Sequence, residues 1–196
     1  NDDILNAIAD IYGMNKNQIV VGNGAAELLY AICRLPGYTG AFVPAPGFSE
    51  YKAALEASRI PVRDIYYRPR EDEHGKPYFE VPYLALETFA AELKGQDGRI
   101  IVFLGNPNNP DGTLLDKNHI RTIASMLKDA NSLLVIDESF IDFVGNDTLQ
   151  DNEYSMRSLV NEFDNIIVVH SFTKFYAVPG LRIGAAFSNP LIIEQL

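Results

Sequence analysis

Lys174 and Arg182 stand eight residues apart in Ser171-Phe172-Thr173-Lys174-Phe175-Tyr176-Ala177-Val178-Pro179-Gly180-Leu181-Arg182, and their chemistries complement each other. A lysine amine can condense with a carbonyl, and a guanidinium can grip a phosphate through two parallel hydrogen bonds. Together they point to a compound carrying both groups. Four further segments offer matching chemistry. In Gly22-Asn23-Gly24-Ala25-Ala26-Glu27 a small-residue turn opens an apolar helix, and the free backbone N–H groups there suit a phosphate. Such a turn is also an ordinary connection, so alone it says little. In Pro44-Ala45-Pro46-Gly47-Phe48-Ser49-Glu50-Tyr51 the Phe48 ring, early in a helix, can stack on a planar group or pack on the core. In Gly105-Asn106-Pro107-Asn108-Asn109-Pro110-Asp111-Gly112 two prolines stiffen a loop whose paired asparagines, Asn108 and Asn109, supply amide donors and acceptors. Leu133-Leu134-Val135-Ile136-Asp137 ends an apolar strand in a carboxylate, which needs a cation or a protonated ring nitrogen as partner. Glu138 then points elsewhere or serves the structure.

These side chains need a scaffold that gathers loop ends. Strand-like runs at 41–43, 62–67, 99–104, 132–137, 166–170 and 182–187 alternate with helical patterns at 25–35, 48–58, 84–94, 116–129 and 155–163. The alternation predicts an α/β fold with a mainly parallel sheet covered by helices. In such sheets ligands bind beyond the carboxyl ends of the strands, and Lys174 falls just past the β-branched run Ile166-Ile167-Val168-Val169. The irregular stretch 68–83 reads as a surface excursion rather than a linker, so the chain reads as one domain. Both ends look cut: a helical pattern over 1–12 stops at Gly13, and Asn189-Pro190-Leu191-Ile192-Ile193-Glu194-Gln195-Leu196 is a helix only begun.

Composition narrows the function classes. Of 196 residues, 26 are acidic and 16 basic, and the net charge of -10 repels polyphosphate backbones, so no nucleic-acid partner is expected. No apolar stretch approaches a membrane span, no signal-peptide layout opens the chain, and a single cysteine forms no internal disulfide framework, which makes the cytoplasm the default compartment. Cys33, in an apolar run, reads as a buried thiol without chemistry. His74 reads as loop surface. His119 and His170 lack companions at ligand spacing, so no metal is predicted.

The combination of Asn106-Pro107-Asn108-Asn109-Pro110-Asp111-Gly112, an aspartate ending a strand, and Ser171-Phe172-Thr173-Lys174 followed by Arg182 resembles the fold-type I pyridoxal-phosphate enzymes, the class I and II aminotransferases. The resemblance spans essentially the whole chain. Asp137-Glu138-Ser139-Phe140-Ile141-Asp142-Phe143 and Thr173-Lys174-Phe175-Tyr176-Ala177-Val178-Pro179-Gly180-Leu181-Arg182 look like the branch of histidinol-phosphate aminotransferases and threonine-phosphate decarboxylases, leaning toward the decarboxylase. This implies a three-layer α/β/α sandwich in which 1–196 is the cofactor-binding large domain, with the family's N-terminal arm and C-terminal small domain outside it. It also implies pyridoxal 5'-phosphate as cofactor, a small-molecule amino acid or amino-acid phosphate as substrate, and a homodimer. Carried over residue by residue, Lys174 would hold the cofactor as a Schiff base and then carry protons, while Asp137 would pair with the ring nitrogen. Asn109 would donate to the phenolic oxygen, Phe48 would stack on the ring, and Gly24, Ala25, Ala26, Ser171 and Arg182 would hold the phosphate.

Two positions depart from the family pattern. Phe140 replaces a usual tyrosine, so no phenol there can donate to the cofactor, and Asp111 replaces a common threonine in what remains an excellent turn sequence. The implied activity is transamination. Decarboxylation at the same site, or a non-catalytic cofactor-sensing or binding module, are the alternatives.

Overall fold

The structure is a computed structural model that describes residues 2–93, 95, 97–145 and 152–196. Among the described residues nine strands, β1 (Ile19–Gly22), β2 (Tyr38–Ala45), β3 (Val62–Tyr66), β4 (Arg68–Glu71), β5 (Pro77–Glu80), β6 (Arg99–Gly105), β7 (Leu133–Asp137), β8 (Ile166–Ser171) and β9 (Gly184–Ser188), are interspersed with seven α-helices. These are α1 (Asp2–Tyr12), α2 (Ala25–Ile32), α3 (Ser49–Ala57), α4 (Tyr83–Glu92), α5 (Lys117–Asp129), α6 (Phe172–Phe175) and α7 (Pro190–Ile193). Seven strands form one sheet in the order β1-β9-β8-β7-β6-β2-β3. The run from β3 through β2, β6 and β7 to β8 is parallel, and β9 is antiparallel to both β8 and β1. The predicted mainly parallel α/β sandwich is the one observed. β4 and β5 form a separate hairpin within the excursion at 68–83.

The central strands β6, β7 and β8 are apolar along their interiors, with polar residues only at their ends, because helices cover both faces. Their side chains alternate with the two-residue period of a strand. Ile100, Val102, Leu104, Leu134, Ile136, Ile166 and Val168 join the core beneath α1, α4 and α5. Ile101, Phe103, Leu133, Val135, Ile167 and Val169 join the core beneath α2 and α3. Cys33 lies in the second core, where burial pushes its thiol up to about 12.

The same parity decides where the polar residues at the strand ends go. Asp137 and Ser171 continue the α2/α3 side, whereas Glu138 and His170 continue the α1/α5 side. Glu138 is fully buried there, where it accepts from Ser155 Oγ at 2.7 Å, Asn106 Nδ2 at 3.3 Å and the Met156 backbone N–H, with Arg157 Nη1 at 3.7 Å. His170 Nε2 lies 3.0 Å from Asp142 Oδ2 and 3.3 Å from the Tyr12 hydroxyl. These buried bonds tie the loops behind the sheet to the ends of β7 and β8.

Three elements differ from the sequence expectation. β1 is a four-residue run, too short to distinguish from loop by periodicity. The pattern at 155–163 forms a five-residue 3₁₀ turn, Arg157–Asn161, because Ser155 and Met156 are pinned to Glu138 and little chain remains before β8. The final strand starts at Gly184 rather than 182, since Arg182 adopts the left-handed conformation (φ 49, ψ 56), which no strand accommodates. Asn1 and Lys94, the outer ends of two expected helices, lie outside the described residues.

Candidate active site

Four parallel strands deliver loops to one edge of the sheet. β2 ends at Ala45 and leads to Phe48, the N-cap of α3; β6 ends at Gly105 and leads to the asparagine loop; β7 ends at Asp137; β8 ends at Ser171 and leads into α6. Between these ends lies a small cleft lined by Phe48, Tyr51, Asn109, Asp137, Phe140 and Lys174, with Pro107 and Ser139 beside them. It lies beyond the carboxyl ends of the strands, where open α/β sheets bind ligands. Larger hollows elsewhere on the surface lack this gathering of a lysine, a buried carboxylate and aromatic rings.

Asp137 is only 6% exposed, and both of its oxygens have donors: the Tyr51 hydroxyl reaches Oδ2 at 3.0 Å, and the Ser139 backbone N–H reaches Oδ1 at 2.9 Å. Sequence reasoning asked for a cation or ring nitrogen here, and within the chain the direct partners are instead a phenol and an amide. An ionised carboxylate offers about four acceptor sites, so two neutral donors leave capacity for another facing the cleft. Tyr51 was missed at the sequence level. Its one signal was a second aromatic three residues after Phe48, which places both on one side of α3's first turn.

Lys174 sits in the four-residue α6, with its ammonium 4.8 Å from the centroid of the Phe140 ring. The residue as a whole is exposed. Even so, desolvation of its ammonium holds its pKa below the ordinary lysine value, with the charge of Asp137 opposing that shift and the charge of Arg182 adding to it. A lowered lysine pKa leaves more neutral amine near neutral pH, the form that attacks carbonyls. Where a family tyrosine would place a phenol, Phe140 thus places an aromatic face beside the amine.

The asparagine loop separates its two amides. Asn108 is buried and donates through Nδ2 to the Pro46 carbonyl at 3.0 Å and to Asp111, binding this loop to the one that carries Phe48. Asn109 lines the cleft. Asp111 also accepts from the Thr113 hydroxyl, so its carboxylate closes the turn, in keeping with the turn chemistry of Pro-Asp-Gly.

The remaining residues singled out from the sequence gather where α2 begins. Gly24 caps that helix at φ +84, and a Cβ added to it would lie 2.8 Å from a terminal nitrogen of Arg182. The guanidinium therefore lies against the first turn of α2, whose residues include Ala25 and Ala26. Ser171, opposite Gly184 in the sheet, shares a hydrogen bond of 2.9 Å with the buried Thr173 hydroxyl. A Cβ on Gly184 would meet the Ala25 backbone nitrogen at 2.5 Å and the Gly24 carbonyl carbon at 2.7 Å. Only glycine lets the start of α2 approach β9 so closely. Gly184→Ala is accordingly expected to lower stability by about 1–3 kcal/mol through overpacking against backbone that cannot rotate away. A drop in the urea midpoint at unchanged m would record it, and an unchanged midpoint would refute the close approach.

The family profile for aminotransferase class I and II matches residues 1–196. A protein assigned as a threonine-phosphate decarboxylase in Caldanaerobacter subterraneus subsp. tengcongensis is 32% identical over 97% of this chain and 47% of its own length. Histidinol-phosphate aminotransferase 2 of Psychrobacter arcticus is 31% identical over 100% of this chain and 48% of its own. The chain thus spans about half the length of these relatives. The crystal structure of the histidinol-phosphate aminotransferase from Clostridium acetobutylicum superposes with a TM-score of 0.78 at 24% identity, over 97% of this chain and 52% of that one, a likeness of fold. The match of the profile from the first residue to the last places the chain in the class I and II aminotransferase family.

Proposed function

We propose that this chain is the cofactor-binding domain of a pyridoxal 5'-phosphate enzyme that acts on an amino acid or amino-acid phosphate through Lys174. The observation carrying this reading is the meeting of Lys174, Asp137, Asn109 and Phe48 in one cleft at the strand ends. The fit can be tested against the structure itself. A pyridine ring carrying a phosphate, an aldehyde and a phenolic oxygen needs an anion cradle, an amine, a buried carboxylate and an aromatic wall. Arg182 against the glycine-opened start of α2 supplies the cradle, and the Gly184 approach leaves no room for a side chain there. The other three needs are met by Lys174, by Asp137 with its remaining acceptor capacity, and by Phe48. The residues present fit the group.

When bound, the cofactor supplies an electron sink for carbanion character at the substrate's Cα. The protein's residues then hold and move protons around it. Asp137, held by donors on both oxygens, would pair with the protonated ring nitrogen. Asn109 offers an amide donor to the phenolic oxygen, and Phe48 closes one side of the cleft against water. Lys174 would hold the cofactor's carbonyl through its amine and would serve as the proton carrier, roles its lowered pKa favours. Gly24, Ala25, Ala26, Ser171 and Arg182 fix the phosphate end, so rotation about the ring is resisted.

Transamination is the leading reaction. Decarboxylation of an amino-acid phosphate at the same site is the second reading, favoured by Phe140 and by the relative assigned as a threonine-phosphate decarboxylase. A homodimer in the cytoplasm, with small amino-acid-type substrates, completes the proposal; the lone buried Cys33 suits a reducing compartment. The full-length protein, loaded with pyridoxal phosphate, should be given threonine phosphate and histidinol phosphate in turn and its products identified. A keto product with transfer of the amino group supports the first reading, and amine with carbon dioxide supports the second. Uptake of the cofactor with neither product would leave a binding or sensing module.

A further inference from the structure

We propose that Tyr51 is a positioning residue for Asp137, fixing the carboxylate's orientation and keeping the shared proton on the ring nitrogen rather than on the aspartate. The inference rests on the preceding reading that Asp137 faces the ring nitrogen of bound pyridoxal phosphate.

Tyr51 is a costly residue to place where it is. It is 1% exposed, among the largest fully buried side chains in the described residues, and buried hydroxyls need partners. Its hydroxyl finds one in Asp137 Oδ2 at 3.0 Å. The ring is held from two directions: it stacks on Phe103 at 5.2 Å and 17°, and meets Phe48 edge to face at 5.6 Å and 88°. Phe103 is itself fully buried on β6. The donor is therefore aimed by packing on both a strand and the cleft wall, and it has little rotational freedom to lose.

The chemistry follows from which way the proton points. Burial and the Asp137 charge hold the Tyr51 phenol well above its ordinary value, so it remains an O–H donor and Asp137 must be the acceptor. A donor on one oxygen holds the carboxylate in one orientation. With Ser139 N–H doing the same on Oδ1, the carboxylate enters the cleft as a fixed, already solvated anion. That is preorganisation, since no water or side chain must reorient when the ring nitrogen arrives. Tyr51 borders the cleft, and its hydroxyl is directed at Asp137, through which it acts.

The test uses full-length protein and pyridoxal phosphate labelled with nitrogen-15 in the ring. Tyr51→Phe keeps the buried ring and removes one oxygen. It is expected to weaken cofactor binding about tenfold, the loss of one hydrogen bond to a charged group, and to move the ring-nitrogen resonance toward the unprotonated position. Leu133→Ala opens the same core at the far end of β7, away from the rings that aim Tyr51. It is expected to lower the melting temperature while leaving that resonance in place. In an Asp137→Asn background, Tyr51→Phe should add no further loss of affinity. Unchanged affinity and resonance in Tyr51→Phe, or the same resonance shift in Leu133→Ala, would overturn the proposal. A wild-type protein that takes up no cofactor would overturn this inference together with the reading beneath it. Uptake by wild type with an indifferent Tyr51→Phe overturns this inference alone.

Discussion

Lys174→Ala, in the full-length protein, is expected to abolish both the long-wavelength absorbance that develops when pyridoxal phosphate is added and the turnover that depends on it. On the proposed reading the Lys174 amine in the cleft attacks the carbonyl, and the same nitrogen is the proton carrier afterwards. Loss of a positioned proton carrier alone costs about 10²–10⁴-fold in rate, and here the covalent role disappears with it. The pH dependence gives the prediction a sign. Because desolvation lowers the Lys174 pKa, the rate of cofactor capture in wild type should rise with pH and level off below the value for an ordinary lysine. Removing the neighbouring positive charge with Arg182→Gln should move that midpoint up, and removing the negative charge with Asp137→Asn should move it down. Stopped-flow absorbance across a pH series reads all three proteins. Midpoints that move in the opposite directions would remove the electrostatic account of this lysine.

Asp137→Ala carries the second large effect, on affinity. The carboxylate is nearly buried and is held by donors on both oxygens, so its substitution strands the buried Tyr51 hydroxyl and, on the proposed reading, removes the ring nitrogen's partner. Truncating one member of a buried, hydrogen-bonded charge pair costs about 2–5 kcal/mol, roughly thirtyfold to several-thousandfold in Kd. Spectroscopic titration of the full-length variant with pyridoxal phosphate measures it. A Kd within about threefold of wild type would mean that the ring nitrogen does not face this residue. The distinction from Glu138 matters here. The two carboxylates are adjacent in sequence and lie on opposite faces of the sheet, and Glu138 is consumed by Ser155, Asn106, Met156 and Arg157 behind it.

Much of this was legible in the chain because strand periodicity and loop chemistry coincide. Asp137 ends an unbroken apolar run, and a carboxylate in that position has few places to go except the sheet's ligand-binding edge. The glycine turn before α2 and the arginine beyond Lys174 were visible as types, whereas their contact required the left-handed turn at Arg182, for which an arginine gives no local signal. Between Asn108 and Asn109 the loop chemistry assigned no roles, since either amide can face a loop or a cleft, and only the family resemblance singled out Asn109. The structure separates them through the Pro46 carbonyl, a partner 62 residues away. Tyr51 escaped notice for the same reason: its importance lies in a bond to a strand end 86 residues distant, and its spacing from Phe48 matches ordinary core packing. The short β1 and the 3₁₀ turn at Arg157–Asn161 depend on tertiary pairing rather than on local pattern.

The central claim is that the carbonyl of pyridoxal phosphate is taken by Lys174 within a cleft formed by Phe48, Asn109 and Asp137. Reducing the cofactor-loaded full-length protein with borohydride makes that linkage permanent, and peptide mass spectrometry then locates it. A single pyridoxyl mass on the peptide containing Lys174, absent after Lys174→Ala, is the predicted result. A modification on any other lysine in its place, or none at saturating cofactor, would contradict the account.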